Sequence, residues 1–154
     1  MNNTAFREVV HKVYKPDGTI EQHGVYLLSS QIRLTPQIVE RHQDKTFIFG
    51  DNLERVGTGG QAIVRGLTNT YGIRTKKSPR NDKASYFYDS DFIWFTTVVL
   101  EDFVKIQKLN QTSSIVFCET GYGNGLAKLP SQAPRCYKYL INHLNSYCKG
   151  NYFE

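Results

Sequence analysis

Two glycine-rich stretches hold the residues of this chain best suited to chemistry. The first is Gly50-Asp51-Asn52-Leu53-Glu54-Arg55-Val56-Gly57-Thr58-Gly59-Gly60-Gln61. It follows the short apolar run Thr46-Phe47-Ile48-Phe49, which suits a strand buried on both faces. A buried strand that ends in polar side chains, followed by glycines that open a helix, can turn backbone N–H groups toward an anion. Gly50, Gly57, Gly59, Gly60 and Gln61 are therefore candidate ligand contacts. Asp51 and Asn52 are the right types to bind ribose hydroxyls, and the carboxylate could also activate a water. The spacing is neither the dinucleotide fingerprint nor a P-loop, because no Gly-Lys-Ser/Thr follows.

The second stretch is Glu119-Thr120-Gly121-Tyr122-Gly123-Asn124-Gly125-Leu126-Ala127-Lys128-Leu129-Pro130. It follows the buried run Ser114 to Cys118. Alternating Gly121, Gly123 and Gly125 can shape an anion-binding nest, with Thr120 and Asn124 beside it and Tyr122 available to cover a base or a sugar. One such loop is a weak signal. Two at one sheet edge could grip both phosphates of a diphosphate. A third stretch, Arg74 to Lys83, holds five basic residues and one acid in ten positions, and its Lys76 and Arg80 are candidates to neutralise phosphate. Tyr86, Phe87, Tyr88, Phe92 and Trp94 could stack on a base, though packing the core is the simpler use. Cys118, Cys136 and Cys148 form no C-x-x-C, and the four histidines form no catalytic or metal-ligand pattern. The reading implies no metal and no cofactor.

The elements that must position these loops follow from local pattern. Residues 6–28 read as a β-hairpin around the turn Lys15-Pro16-Asp17-Gly18-Thr19. Thr35-Pro36 marks the start of a short helix over 36–42. Residues 61–70 are expected to form a helix, and 71–75 a strand. Phe92, Phe95, Val99, Phe103 and Ile106 recur at helical spacing, with Asp89 or Ser90 as the cap and Asn110 as the stop. Pro134 opens a last helix with Cys136, Leu140, Ile141, Leu144 and Tyr147 on one face. Alternating strands and helices predict a three-layer α/β/α domain with a mostly parallel or mixed central sheet and an N-terminal hairpin. In such sheets ligands bind beyond the carboxyl ends of the strands.

Composition fits one ordinary domain of 154 residues and excludes several classes. No apolar run approaches the ~18 residues needed to span a membrane. The N-terminal sequence MNNTAFREVV lacks the pattern of a signal peptide. With an odd number of cysteines and no framework, a reducing cytoplasmic setting is expected, the host cytoplasm for a phage protein. An excess of 19 basic over 14 acidic side chains favours anionic partners.

The two loops on a strand–loop–helix frame resemble the macro domain, a module that binds ADP-ribose. Phe49-Gly50-Asp51-Asn52-Leu53 with Gly57, Gly59 and Gly60 stands where that family has its Asn-containing motif and glycine run. Thr120-Gly121-Tyr122-Gly123, Gly125 and Pro130 resemble its second phosphate loop. The chain is also similar to a group of macro-like proteins, many from phages and bacteria. These share a Phe-Gly-x-Asn-Leu loop, a Thr-Lys-x-x-Pro stretch and a Gly-x-Gly-Leu-Ala-x-Leu-Pro loop. Lys76, Pro79, Leu126, Ala127 and Leu129 match them. The resemblance covers residues 46–145. The Asn-Ala-Ala-Asn of typical macro domains is absent, and the adenine-holding Gly-Asp-Ile segment has no counterpart near Ser29 to Leu34.

The resemblance implies a single macro-like domain that binds an ADP-ribose-type nucleotide or an ADP-ribosylated substrate. It places the distal ribose near Asn52 and the diphosphate between the loops. A hydrolytic version would use Asn52 to orient the ribose and Asp51 to activate water, breaking an ADP-ribosyl or phosphoester bond. A second reading is a non-catalytic reader or sponge with the same pocket. A third, less favoured because the basic stretch is short, is an RNA- or protein-interaction domain.

Overall fold

The computed structural model describes residues 5–154. Residues 1–4, part of the segment read for a leader, lie outside it. The hairpin forms, but in two pieces. Strands β1 (Phe6–Val10) and β4 (Val25–Leu28) pair antiparallel at its base, and β2 (Val13–Tyr14) and β3 (Ile20–Gln22) pair at its tip. The turn closes with the Lys15 N–H donating to the Thr19 carbonyl at 2.8 Å. The return strand β4 is no appendage, because it is buried and pairs parallel with β7 (Ser114–Cys118) along its whole length.

The remaining strands are β5 (Lys45–Asn52) and β6 (Thr70–Lys76), and the five-stranded order is β1-β4-β7-β5-β6. Only β1 runs antiparallel, so the sheet is mixed. Helix α1 (Pro36–Arg41) connects β4 to β5, and α2 (Phe92–Asn110) connects β6 to β7. These crossovers run in opposite directions across the sheet. Right-handed connections therefore put the two helices on opposite faces. Helix α4 (Pro134–Cys148) packs beside α2, with the short α3 (Leu129–Gln132) before it. The result is an α/β/α sandwich whose α1 layer is thin. Among the described residues no helix is long and apolar enough to cross a membrane.

Helix starts follow chemistry that is only partly local. Thr35 caps α1 by accepting from the Ile38 N–H. Neither Asp89 nor Ser90 caps α2. Asp91 instead accepts from the Tyr88 N–H at 3.0 Å, within a short 3-10 turn that precedes the helix. Asp89 is used elsewhere: it accepts from the Arg135 and Cys136 N–H groups and so caps α4 from a distant part of the chain.

The helix expected over 61–70 is absent. Residues Gly60–Val64 make a single 3-10 turn, which ends before the left-handed Gly66 at φ 93°. Glycines at both ends leave too short a run to repay helix nucleation. The chain then descends to Asn69, which is buried and holds the carbonyls of Val39, His42 and Lys45 with its amide.

Candidate functional site

The crevice originates in the sheet. Strands β5 and β7 pair only as far as Phe47 opposite Val116. Beyond that point the Tyr122 hydroxyl stands between them, accepting from the Cys118 N–H at 2.7 Å and donating to the Ile48 carbonyl at 2.8 Å. The strands splay, and the loops that follow them face each other across a cavity of about 230 Å³. Gly59 and Gly60 form one side and residues 121–127 the other, with Gly50 and Asp51 at its floor. The loops touch through Leu126, whose Cδ1 sits against Gly59 and Gly60. This is the carboxyl end of parallel strands, where α/β sheets receive ligands.

Tyr122 therefore does not cover a ligand with its ring. It is fully buried, and burial holds its hydroxyl well above the ordinary phenol range. Burial likewise pushes the Cys118 thiol up to about 12, so it is an inert core group.

Strand β6 contributes a cation through an irregularity. Asp51 stands opposite Arg74 and Asn52 opposite Lys76, so Thr75 is an extra residue in β6. A bulge re-aims side chains, and here both Thr75 and Lys76 line the cavity although they are neighbours on one strand. The Lys76 ammonium donates to the Arg80 carbonyl and lies 4.9 Å from the centre of the Tyr86 ring. The Lys128 ammonium approaches the same ring at 5.5 Å. Among the described residues neither lysine pairs with a carboxylate. Burial, reinforced by Lys128 and opposed by Asp82, lowers the Lys76 pKa below the ordinary lysine value. The backbone N–H groups of Asn124, Gly125 and Leu126 donate to no protein group among the described residues, nor does the Thr75 hydroxyl.

Asp51 and Asn52 are placed differently from the sequence expectation. The Asp51 carboxylate turns away to meet Arg55 at 2.9 Å and Arg65 through two nitrogens. It lies over the β6 backbone at Gly72, where any Cβ would collide with it. Two arginines and the Asn52 N–H hold this carboxylate, two donors on each oxygen, which leaves it no free lone pair for water activation. Asn52 does not point into the cavity. Its amide donates to the Val56 carbonyl at 2.8 Å and its oxygen accepts from the Glu54 N–H, which folds the 52–56 turn. Gly57 packs on Pro79. Arg80 is exposed and pairs with Glu54 at 2.8 Å, outside the cavity. Thr120 faces an adjacent cavity, and its carbonyl accepts from the Asn124 amide.

Of the expected contacts, the structure brings together Gly50, Gly59, Gly60, Gln61, Lys76, Gly121, Gly123, Asn124 and Gly125, with Asp51 and Tyr122 as parts of the frame. It adds Thr75, Leu126 and Ala127 to the lining, and the Lys128–Tyr86 pair beside it. The pattern shared with the macro-like group already marked Leu126 and Ala127. The Thr75 bulge leaves no local signal in the sequence.

Residues 29–143 match the model of a family of unknown function, DUF7831. That is about three quarters of the chain. The chain belongs to this family. Comparison with curated proteins and with solved structures gives no match. The DUF7831 segment contains both glycine loops and the β5–β7 split, and it leaves out the hairpin and the C-terminal residues 144–154.

Within that segment Gly123 is a stringent position. It sits at φ 78°, and a Cβ there would meet Leu129 Cδ1 at 2.5 Å. Gly123→Ala is expected to cost on the order of 2 kcal/mol or more, from left-handed strain plus overpacking. Urea denaturation measures this. A loss below about 0.5 kcal/mol would show that the loop relaxes freely.

Proposed function

We propose that the protein binds a diphosphate-bearing nucleotide of the ADP-ribose type in the crevice between its two glycine loops. The observation that carries this reading is Lys76: a residue only 6% exposed that lines the cavity, with no ion pair to a carboxylate among the described residues. A buried charge is costly unless something compensates it. Here the neighbouring Lys128 makes the cost larger, and an anionic ligand would remove it. The unpartnered loop amides and the Thr75 hydroxyl supply the directed donors that a phosphate needs. The macro-domain resemblance selects ADP-ribose among diphosphates.

The reading is one of binding, the reader or sponge rather than the hydrolase. Asp51 is the one acidic residue among those lining the cavity, and its carboxylate is neutralised by Arg55 and Arg65. Thermal unfolding with ADP-ribose, ADP, pyrophosphate and a single-stranded oligonucleotide tests the proposal. ADP-ribose at a hundred times its Kd should stabilise the fold by about 2.7 kcal/mol and raise Tm by several degrees. The reading fails if ADP-ribose gives no shift while the oligonucleotide binds in a salt-dependent way. It is also incomplete as a binding reading if ADP-ribosyl substrates turn over.

A further inference from the structure

Gln61 occupies a position that its role as a ligand contact does not explain. Its Oε1 accepts from the Gly50 N–H at 2.8 Å, and its Nε2 donates to the Gly121 carbonyl at 3.1 Å. One amide thus ties the end of β5 to the loop after β7, across the splay between the two strands. On one side lies the cavity with Lys76. On the other lies a second cavity of about 380 Å³, walled by Leu28, Ile32 and Leu34 together with Ser30, Gln31 and Arg33 of the segment that follows β4. Gly60 and Gln61 line both. The two cavities therefore adjoin at Gln61.

We infer that Gln61 is a crossbar that determines specificity, separating ligands that fill the Lys76 cavity alone from ligands that span both. This rests on the nucleotide reading and deepens it. The two sides differ in chemistry: the first offers an ammonium and loop amides, the second a mixed wall in which Ser30, Gln31 and Arg33 stand beside aliphatic side chains. A short anion such as pyrophosphate seats on the first side and leaves the amide in place. A longer ligand, with its diphosphate on the first side and its uncharged portion on the second, has to swing the amide out and break both hydrogen bonds. The cost therefore falls on spanning ligands only. Gln61 sits in the single 3-10 turn after Gly60, a short element with no helix to restrain it.

The test is calorimetric titration of pyrophosphate and of ADP-ribose into the wild type, Gln61→Ala and Gln61→Met. Methionine keeps the length and packing of the side chain without its hydrogen bonds, and it serves if the alanine variant unfolds. Removing the crossbar should tighten ADP-ribose about tenfold relative to pyrophosphate, the equivalent of two net neutral hydrogen bonds partly recovered. Pyrophosphate itself should change less than about twofold. An unchanged ratio in a folded variant overturns the inference and makes Gln61 a structural tie. A ratio that moves the other way also overturns it, because the amide then contacts the ligand directly. ADP-ribose that binds no variant, whether or not pyrophosphate binds, refutes the nucleotide reading and this inference with it.

Discussion

Replacing Lys76 by methionine is expected to weaken binding of ADP-ribose by roughly 10- to 100-fold, with the unfolding midpoint unchanged or raised. The two halves of this result have one cause. In the free protein the Lys76 ammonium is desolvated, sits near Lys128 and lowers its own pKa for both reasons. Its protein contacts are the Arg80 carbonyl, the Asn81 amide oxygen at 3.4 Å and the Tyr86 ring. None of these carries a charge, and the Asp82 carboxylate, which forms no ion pair with the ammonium, offsets its cost only in part. Methionine keeps the stem against Tyr86 and removes the cost of the charge. When ligand is present the sign reverses, because a hydrogen bond to a charged group contributes about 1.5–3 kcal/mol. Gain of stability with loss of binding is the signature of a residue held for its ligand. A variant that binds ADP-ribose as well as the wild type would remove Lys76 from the site. A variant that loses several kcal/mol of stability would make it structural.

The parts of this fold set by local pattern were legible in the sequence. Ser114 to Cys118 is a strand over that very span, and Thr35-Pro36 opens α1 as the cap rule requires. The meeting of the glycine loops was legible too, because both follow central parallel strands and such strands share a carboxyl edge. What was hidden depends on distant partners. Residue type marked Asp51 and Asn52 as polar groups at a strand end, but not that Arg65 would claim the first or that Val56 and Glu54 would claim the second. Residue type makes Tyr122 available to cover a base or a sugar. Its hydroxyl instead replaces the ladder where β5 and β7 part. The basic stretch was read as one charged loop. In the structure Lys76 is buried at the cavity, Arg80 pairs with Glu54 and Lys77 pairs with Asp91.

Removing Asp102 is expected to cause the largest loss of stability of any single side chain discussed, about 3 kcal/mol or more for Asp102→Ala. Asp102 lies on the buried face of α2 and is fully inaccessible. One oxygen accepts from Arg55 at 2.9 Å and from the Tyr71 hydroxyl at 2.7 Å, and the other accepts from the Arg74 N–H at 2.8 Å. Burial, and then the bond to Asp102, push the Tyr71 phenol up to about 12. Arg55 bridges this carboxylate to that of Asp51, and it does so from a left-handed backbone at φ 57°. A non-glycine residue in that region is strained and persists only where its surroundings hold it. Alanine at 102 would leave the Arg74 N–H and the Tyr71 hydroxyl without their acceptor. It would also free Arg55, the anchor of the turn that leads into Gly57 and Gly59. Urea denaturation should therefore show the stability loss. ADP-ribose affinity should fall as well, although Asp102 is not among the residues lining the cavity. Asp102→Asn, which keeps the shape and half the acceptors, should lose less than alanine. A loss under about 1 kcal/mol for alanine would mean that the arginines find water instead, and the network would then not hold the first glycine loop in place.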